Sequence, residues 1–490
     1  MHRTLLLPEI IAQILHASAA SPGFLHTCLR INKLFSLEVT RMLWKGCGVR
    51  YNFAKAGHVT PSITDLARIV QTSTKRAQYY AEFIQILMFE EDGTSWEDRK
   101  EEARWHPELA TLRFSNLLSF SLFGGYGFPE SRSMSTGEII LHYAQPNVKE
   151  FHIDGASKLV DSFLDTLSYR CPRLEVLNVE NVSDSHLSER GMIRFLDATK
   201  HLKVLSVRTT ALEGWTLNTF KALSVHSKLE LLSVPDLPEP WLRSLGQKDC
   251  ISSRFPKLKH FYTGISDEGL KLLALCMPNI KTLSLLLQNV APSHQRHILR
   301  SASDFKHLTS LSIEFAPESS IDGDDMIILA QSCPNLQELL INEYDDHGPS
   351  VVNFTDATIE RVAQSLKHLS KITFTLDSSH KLTWRSVIQF AQHCKELEQL
   401  TLPCNFSWQE VIDQAPAGLF PKLWFLVLVL EKNNQKGGEV DSVEEETLDI
   451  HVANLVAFAP RLRYFRLSGG DTMDESFTAA FSRATGDFGC

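Results

Sequence analysis

What this chain lacks narrows its function before any motif is read. Its nine cysteines contain no Cys-x-x-Cys pair, which argues against a thiolate metal knuckle or a redox dithiol. The count is odd, and Cys171, Cys276, Cys333 and Cys394 recur at one position, the end of a helical stretch. Cysteine in that phase reads as a small buried apolar residue in a reducing compartment rather than part of a disulfide framework. No stretch approaches the roughly 18 consecutive apolar residues of a membrane span, so no membrane partner is expected. Blocks of lysine and arginine are also missing, and with a net charge of −9 and a pI near 6.1 nothing electrostatic recommends nucleic acid as a partner.

A secretion signal is not expected either. Met1, His2 and Arg3 precede an apolar run ending Ala17, Ser18, Ala19, Ala20, but Pro8, Glu9, Gln13 and His16 interrupt it. Acceptor triplets at Asn181, Asn353 and Asn405 are expected by chance in a chain of this length. The expectation is a cytoplasmic or nuclear protein.

No constellation for catalysis is complete. Gly124, Gly125, Tyr126 and Gly127 lack the lysine and hydroxyl of a phosphate loop and read as a turn. His294 and His297 have no cysteine or carboxylate set to complete a metal site and read as a solvated loop. Asp322, Asp324 and Asp325 around Gly323 lack the distal glutamate of a calcium loop. There is no serine elbow and no His-Glu-x-x-His helix. The residues therefore predict no enzyme, no metal and no cofactor, and any transfer chemistry belongs to a partner.

What is present is a phrase: leucine, two variable residues, leucine, one variable residue, a third aliphatic. It occurs as Leu174, Leu177, Val179; Leu202, Leu205, Val207; Ile280, Leu283, Leu285; Leu336, Leu339, Ile341; and Leu397, Leu400, Leu402. With looser copies, its first position falls at 117, 148, 174, 202, 229, 258, 280, 308, 336, 369, 397, 423 and 462, a period of about 29 residues. Apolar residues two apart share one face of a strand, and the first leucine turns the chain into it. Upstream, Ser266 to Pro278 shows the helical half, with Leu270, Leu273 and Ala274 on one stripe. Pro278 stops that helix, as Pro146, Pro172, Pro256, Pro334, Pro421 and Pro460 do in phase. Thr355, Thr383 and Ser442 stand where caps are needed, and Ser442 with Glu445 has capping-box spacing. Such a unit cannot bury its apolar side alone. The predicted fold is therefore α/β: a leucine-rich-repeat solenoid, a horseshoe with a parallel concave sheet and helices on the convex side, over residues 111–490 in about 13 repeats. A polar, acidic loop near 433–449 interrupts it.

A different pattern opens the chain. Leu7, Pro8, Ile10, Ile11, Ile14 and Leu15 read as a proline-started helix with an apolar stripe. Leu25, Cys28, Leu29 and Ile31 to Phe35 continue into a second helix, and Val39, Leu43 and Trp44 into a third. This three-helix module, residues 1–47, resembles the F-box family, whose pattern begins Leu-Pro with an Ile-Leu helix and closes on Leu-Trp. Asn32 and Phe35 stand where that pattern has cysteine and tryptophan. The repeats carry the Cys-Pro-x-Leu-x-x-Leu-x-Leu phrase at Cys333, Pro334, Leu336, Leu339 and Ile341, and the Asp-x-Gly-Leu helix start at Asp267, Gly269 and Leu270. In that order the two parts resemble the F-box/leucine-rich-repeat substrate receptors of the divergent fungal type. The resemblance implies docking on a Skp1-like adaptor, and through it a cullin and RING subunit, with the solenoid holding a protein substrate for ubiquitin transfer. It assigns adaptor docking to Leu7, Pro8, Ile10, Ile11, Ile14, Leu15, Leu29, Ile31, Phe35, Leu43 and Trp44.

Residues 48–110 lack the phrase and read as a helical bridge capping the first repeat, with Tyr80, Phe83, Ile84, Leu87 and Met88 as one helical stripe. On the concave face, specificity belongs to side chains between the repeated aliphatics. Arg208, His260, Tyr262, Phe425, Tyr464 and Arg466 are the candidate substrate anchors, because interface energy concentrates in aromatics and arginine. A leucine-rich scaffold or inhibitor, its N-terminal helices serving only as a cap, is the competing expectation.

Overall fold

The computed structural model describes residues 7–18, 23–48, 61–89, 105–123, 140–155, 159–182, 185–208, 214–245, 254–316, 318–343, 349–376, 382–404, 417–429, 445–468 and 481. It divides into two compact units, Met1–Pro235 with Phe255–Lys257, and Asp236–Arg254 with Leu258–Cys490.

The first unit starts with three helices: α1 (Pro8–Ser18), α2 (Phe24–Cys28) and α3 (Lys33–Leu43). Pro8 occupies a helix start, where its missing N–H costs nothing. Asn32 caps α3, its side chain accepting from the amides of Leu34 (2.9 Å) and Phe35 (3.0 Å). Ile11, Leu15, Leu25, Cys28, Phe35 and Val39 close a small core, with Phe24, Leu29, Leu34, Met42 and Leu43 packed against it.

A parallel ladder follows without a break in the chain's logic. Its first strands are β1 (Gly46–Cys47), β2 (Ile86–Phe89), β3 (Ser119–Leu122) and β4 (Glu150–Asp154), then Val176–Glu180, Val204–Arg208 and Leu231–Ser233. The second unit carries the strands His260–Thr263, Thr282–Leu286, Ser310–Phe315, Glu338–Glu343, Lys371–Phe374, Gln399–Pro403, Phe425–Val429 and Tyr464–Ser468. Every strand of this ladder from β3 onward begins two residues after a first position of the repeated phrase. All thirteen of those first-position side chains are at most 4% exposed. The register is set by one recurring contact, in which two successive amides donate to a single carbonyl of the preceding repeat. Thr309 and Ser310 donate to Lys281 O at 2.8 and 3.0 Å, and Ser370 and Lys371 to Gln337 O at 2.8 and 3.0 Å. Each unit is thus a stack of strand–helix repeats, with the aliphatic triplets as its core.

The helices are joined across repeats by carboxylates at their starts. Asp356 accepts from Thr383 N (2.9 Å), Thr383 Oγ1 (2.8 Å) and Ser386 Oγ (2.5 Å), so the acid of one repeat fixes the cap of the next. Asp161 does the same for Ser188, through Ser188 N at 2.7 Å. Thr355 and Thr383 sit at helix starts as the sequence suggests, whereas Ser442 and most of the acidic loop lie outside the described residues. The Gly124–Gly127 turn, residues 1–6 and Asn405 also lie outside them. No described helix is long and apolar enough to cross a membrane.

Residues 48–110 correct one expectation. Helices α4 (Ile63–Thr72) and α5 (Thr74–Ala81) are there, but the helical stripe drawn through Tyr80 to Met88 stops at Ala81. Ile84 and Leu87 are fully buried and Phe89 is 3% exposed, so Ile84-x-x-Leu87-x-Phe89 is itself a repeat phrase feeding β2. Gln85 and Ile86 donate to Lys45 O at 2.9 and 3.1 Å, the same paired contact as in later repeats. The ladder therefore begins at Gly46, directly after α3. The helical reading arose because Tyr80, Phe83, Ile84 and Leu87 match a 3.6-residue period as well as they match a helix end running into a strand.

Candidate functional site

Helix α1 carries two apolar stripes. Ile11 and Leu15, four apart, are fully buried and belong to the core of the module. Leu7, Ile10 and Ile14 form the other stripe: Leu7 is 48% exposed, and Ile10 and Ile14 are half-buried. Ile31, at the turn between α2 and α3, is 49% exposed. A core of this size that leaves large aliphatics outside presents apolar surface beyond what its own folding uses.

The eleven residues assigned to adaptor docking therefore separate. Leu7, Pro8 and Ile31 are exposed, and Ile10, Ile14, Leu29 and Leu43 are half-buried. Ile11, Leu15, Phe35 and Trp44 are buried, and the first three belong to the core of the module. Trp44 also stacks on Tyr80 of α5, with centroids 4.5 Å apart and planes 6° from parallel. Arg41 lies 5.8 Å over the Phe83 ring and is paired with Glu38 at 2.6 Å. This aromatic seam between module and first repeats was missed by sequence reasoning. Its signal was the run Tyr79, Tyr80, Phe83, read only as a helix face.

The sheet faces hold the other six residues. In the first unit Ser121, His152, Asn178, Ser206 and Ser233 stand opposite one another in an unbroken row. Arg208 is half-buried and its Nε donates to Ser233 Oγ at 2.9 Å, while Ser206 Oγ lies 3.5 Å from Glu180 Oε1. Burial pushes the His152 ring down, against the opposing pull of Glu150 and Glu180. In the second unit the equivalent row is Tyr262, Ser284, Ser312, Leu340, Thr373, Thr401, Val427 and Arg466. His260 and Tyr262 are both half-buried. Phe425 and Tyr464 are register partners, stacked at 4.6 Å and 6°. Tyr464 is 42% exposed, and Trp424, unnoticed in the sequence, sits edge-on to Phe425 at 5.7 Å and is 37% exposed. With exposed Arg466 beside them, these rings form an aromatic end to the second unit's sheet face. Arg208 lies in the first unit and is not part of that group.

The other polar signals are spent internally. Asp325, 1% exposed, faces His297 Nδ1 at 2.9 Å and Arg300 Nη2 at 2.7 Å. Asp322 caps its helix, accepting from Asp324 N at 3.0 Å. His297, at the start of its helix, is thus hydrogen-bonded to Asp325 while its side chain stays 44% exposed. Among the described residues no group of three or more His, Cys, Asp or Glu is placed to hold a metal ion.

No known protein-family profile matches the chain. No curated protein matches it in sequence. Among solved structures it is similar to the crystal structure of the Rad7 and Elc1 complex in yeast, at 14% identity and a TM-score of 0.37, over 95% of this chain and 93% of the matched one. A likeness at that level assigns no function.

Proposed function

We propose that this protein is a non-catalytic, substrate-recruiting subunit of an SCF-type ubiquitin ligase, acting in the cytosol or nucleus. The outer stripe of the N-terminal module docks a Skp1-like adaptor, which carries the cullin and RING subunit. The sheet faces of the repeats hold a protein client. The observation that carries this reading is the second apolar stripe of α1, Leu7, Ile10 and Ile14, left outside a core that Ile11 and Leu15 already close. The F-box resemblance over residues 7 to 44 supplies the partner's class.

Co-expression with a Skp1-like adaptor tests it. The wild-type chain is expected to co-purify with the adaptor, and Leu7→Asp with Ile14→Asp to lose it while keeping the same melting temperature. Intact, folded protein that ignores the adaptor would sink the proposal.

One observation favours a second reading, a leucine-rich scaffold whose helices only cap the stack. The module is continuous with the ladder through the Trp44–Tyr80 stack and the Lys45 carbonyl. A cap of that kind predicts that the Asp variant melts lower and binds every partner as before.

A further inference from the structure

Between α3 and α5 runs a groove of about 480 Å³, whose lining includes Arg30, Lys33, Ser36, Thr40, Tyr79 and Tyr80. Its charge is one-sided. Arg30 and Lys33 are exposed, no carboxylate lines the groove, and neither cation has a hydrogen-bond or ion-pair partner among the described residues. The acid of α3, Glu38, is buried and bound to Arg41. Lys33 occupies the first turn of α3, which holds no acidic residue. A cation there opposes the helix dipole, and a local rule broken without internal compensation marks a place where an external group is accommodated.

The wall opposite is aromatic and fixed in place. Tyr79, 44% exposed, meets Phe83 edge-on at 5.0 Å. Tyr80 is held by Trp44 on one side, and its hydroxyl takes a 3.0 Å hydrogen bond from Arg76 Nε. Rigid rings lining one groove with cations that have no partner among the described residues supply contact area at low entropy cost, with directional demand for negative charge.

We propose that this groove binds an acidic peptide segment of a protein partner, its carboxylates meeting Arg30 and Lys33 and an apolar or aromatic side chain packing on Tyr79. A membrane surface fits less well, because the cations line a concavity on a chain of net charge −9. The site goes beyond adaptor docking and needs none of the outer stripe of α1, although Leu29 borders both.

The test titrates full-length protein into a dye-labelled peptide of glutamates flanking one phenylalanine, read by fluorescence anisotropy. Lysine replaces glutamate in the comparison peptide. Saturable binding of the acidic peptide is expected, weakened at least about tenfold in Arg30→Glu with Lys33→Glu and in Tyr79→Ala, weakened by added salt, and unchanged in Arg173→Glu, an exposed arginine that does not line the groove. Leu7→Asp with Ile14→Asp is expected to keep the peptide, so failure here and failure of adaptor docking are read separately; loss of the peptide in that variant would place it on α1 and overturn the proposal. No saturable binding, equal binding to the charge-reversed variant, or equal binding of the lysine peptide would also overturn it. So would displacement by inorganic phosphate or phosphatidylserine vesicles as effective as by unlabelled acidic peptide. Should the charge-reversed variant melt early, Arg30→Gln with Lys33→Gln is held to the same criteria.

Discussion

Trp44 closes the N-terminal module and at the same time lies flat on Tyr80 of the first repeats, 4.5 Å between ring centres. One side chain therefore ends one pattern and begins another: it follows the last helix of the N-terminal module and stands two residues before β1, where later repeats place their first aliphatic residue. Tyr80→Ala is expected to lower stability by about 2–4 kcal/mol, combining lost burial with a stacking contribution of about 1 kcal/mol. Urea midpoints would show it; a midpoint unchanged from wild type would mean that the seam holds nothing together.

Alternation along the last strand gives a paired prediction. Tyr464 is 42% exposed and Phe465 only 5%. Phe465→Ala is expected to cost about 3–5 kcal/mol by leaving a cavity, and Tyr464→Ala about 1 kcal/mol, the share of a ring stacked on Phe425 at the surface. Equal losses in thermal unfolding would contradict the alternation.

His106 supplies a pH dependence. Its Nδ1 lies 2.8 Å from the Tyr143 hydroxyl, and burial together with the neighbouring His142 pushes its pKa down to about 4. Burial holds the Tyr143 phenol well above its usual range, so the hydroxyl stays protonated and shares its hydrogen bond with a neutral imidazole. The unfolded chain takes up the proton near 6.5 and the folded one only near 4, so this contribution is complete above pH 6.5 and is lost as pH falls towards 4. Its full size is ~3 kcal/mol. His106→Phe should flatten that part of the stability profile relative to wild type, and parallel profiles from pH 7 to pH 4 would refute the assignment.

The in-phase thiols should be inert. Burial pushes Cys171 and Cys394 to about 12 and Cys333 to about 11. Two of the sulfurs are also occupied: Cys394 Sγ donates to Leu366 O at 3.3 Å and Cys333 Sγ to Phe305 O at 3.4 Å. Alkylation at pH 8 followed by peptide mapping should find these three unlabelled in the native protein and labelled in urea. Rapid native labelling of Cys394 would show that its repeat opens.

Much of the fold was legible because a repeat is a local pattern copied many times. The in-phase prolines, the helix caps and the aliphatic triplets each repeat the same instruction, so agreement among copies substitutes for knowledge of contacts. The segment Ile84 to Phe89 escaped because one phrase, spelled with isoleucine and phenylalanine, fits a helix period equally well when no second copy stands beside it. The candidate sites were less legible. Sequence marks Ile10, Ile11, Ile14 and Leu15 alike as apolar helix positions, and the six sheet-face candidates alike as outward positions.

By itself, then, the sequence determined the period and the inward set of the thirteen copied phrases, since side-chain direction in a strand follows from covalent geometry and position alone. Only the tertiary structure decided which stripe of α1 was consumed by Leu25, Phe35 and Val39, that Trp44 would lie on Tyr80, and that Phe425 would stack on Tyr464. Burial is a property of what arrives from elsewhere in the chain, and no local pattern specifies its own neighbour.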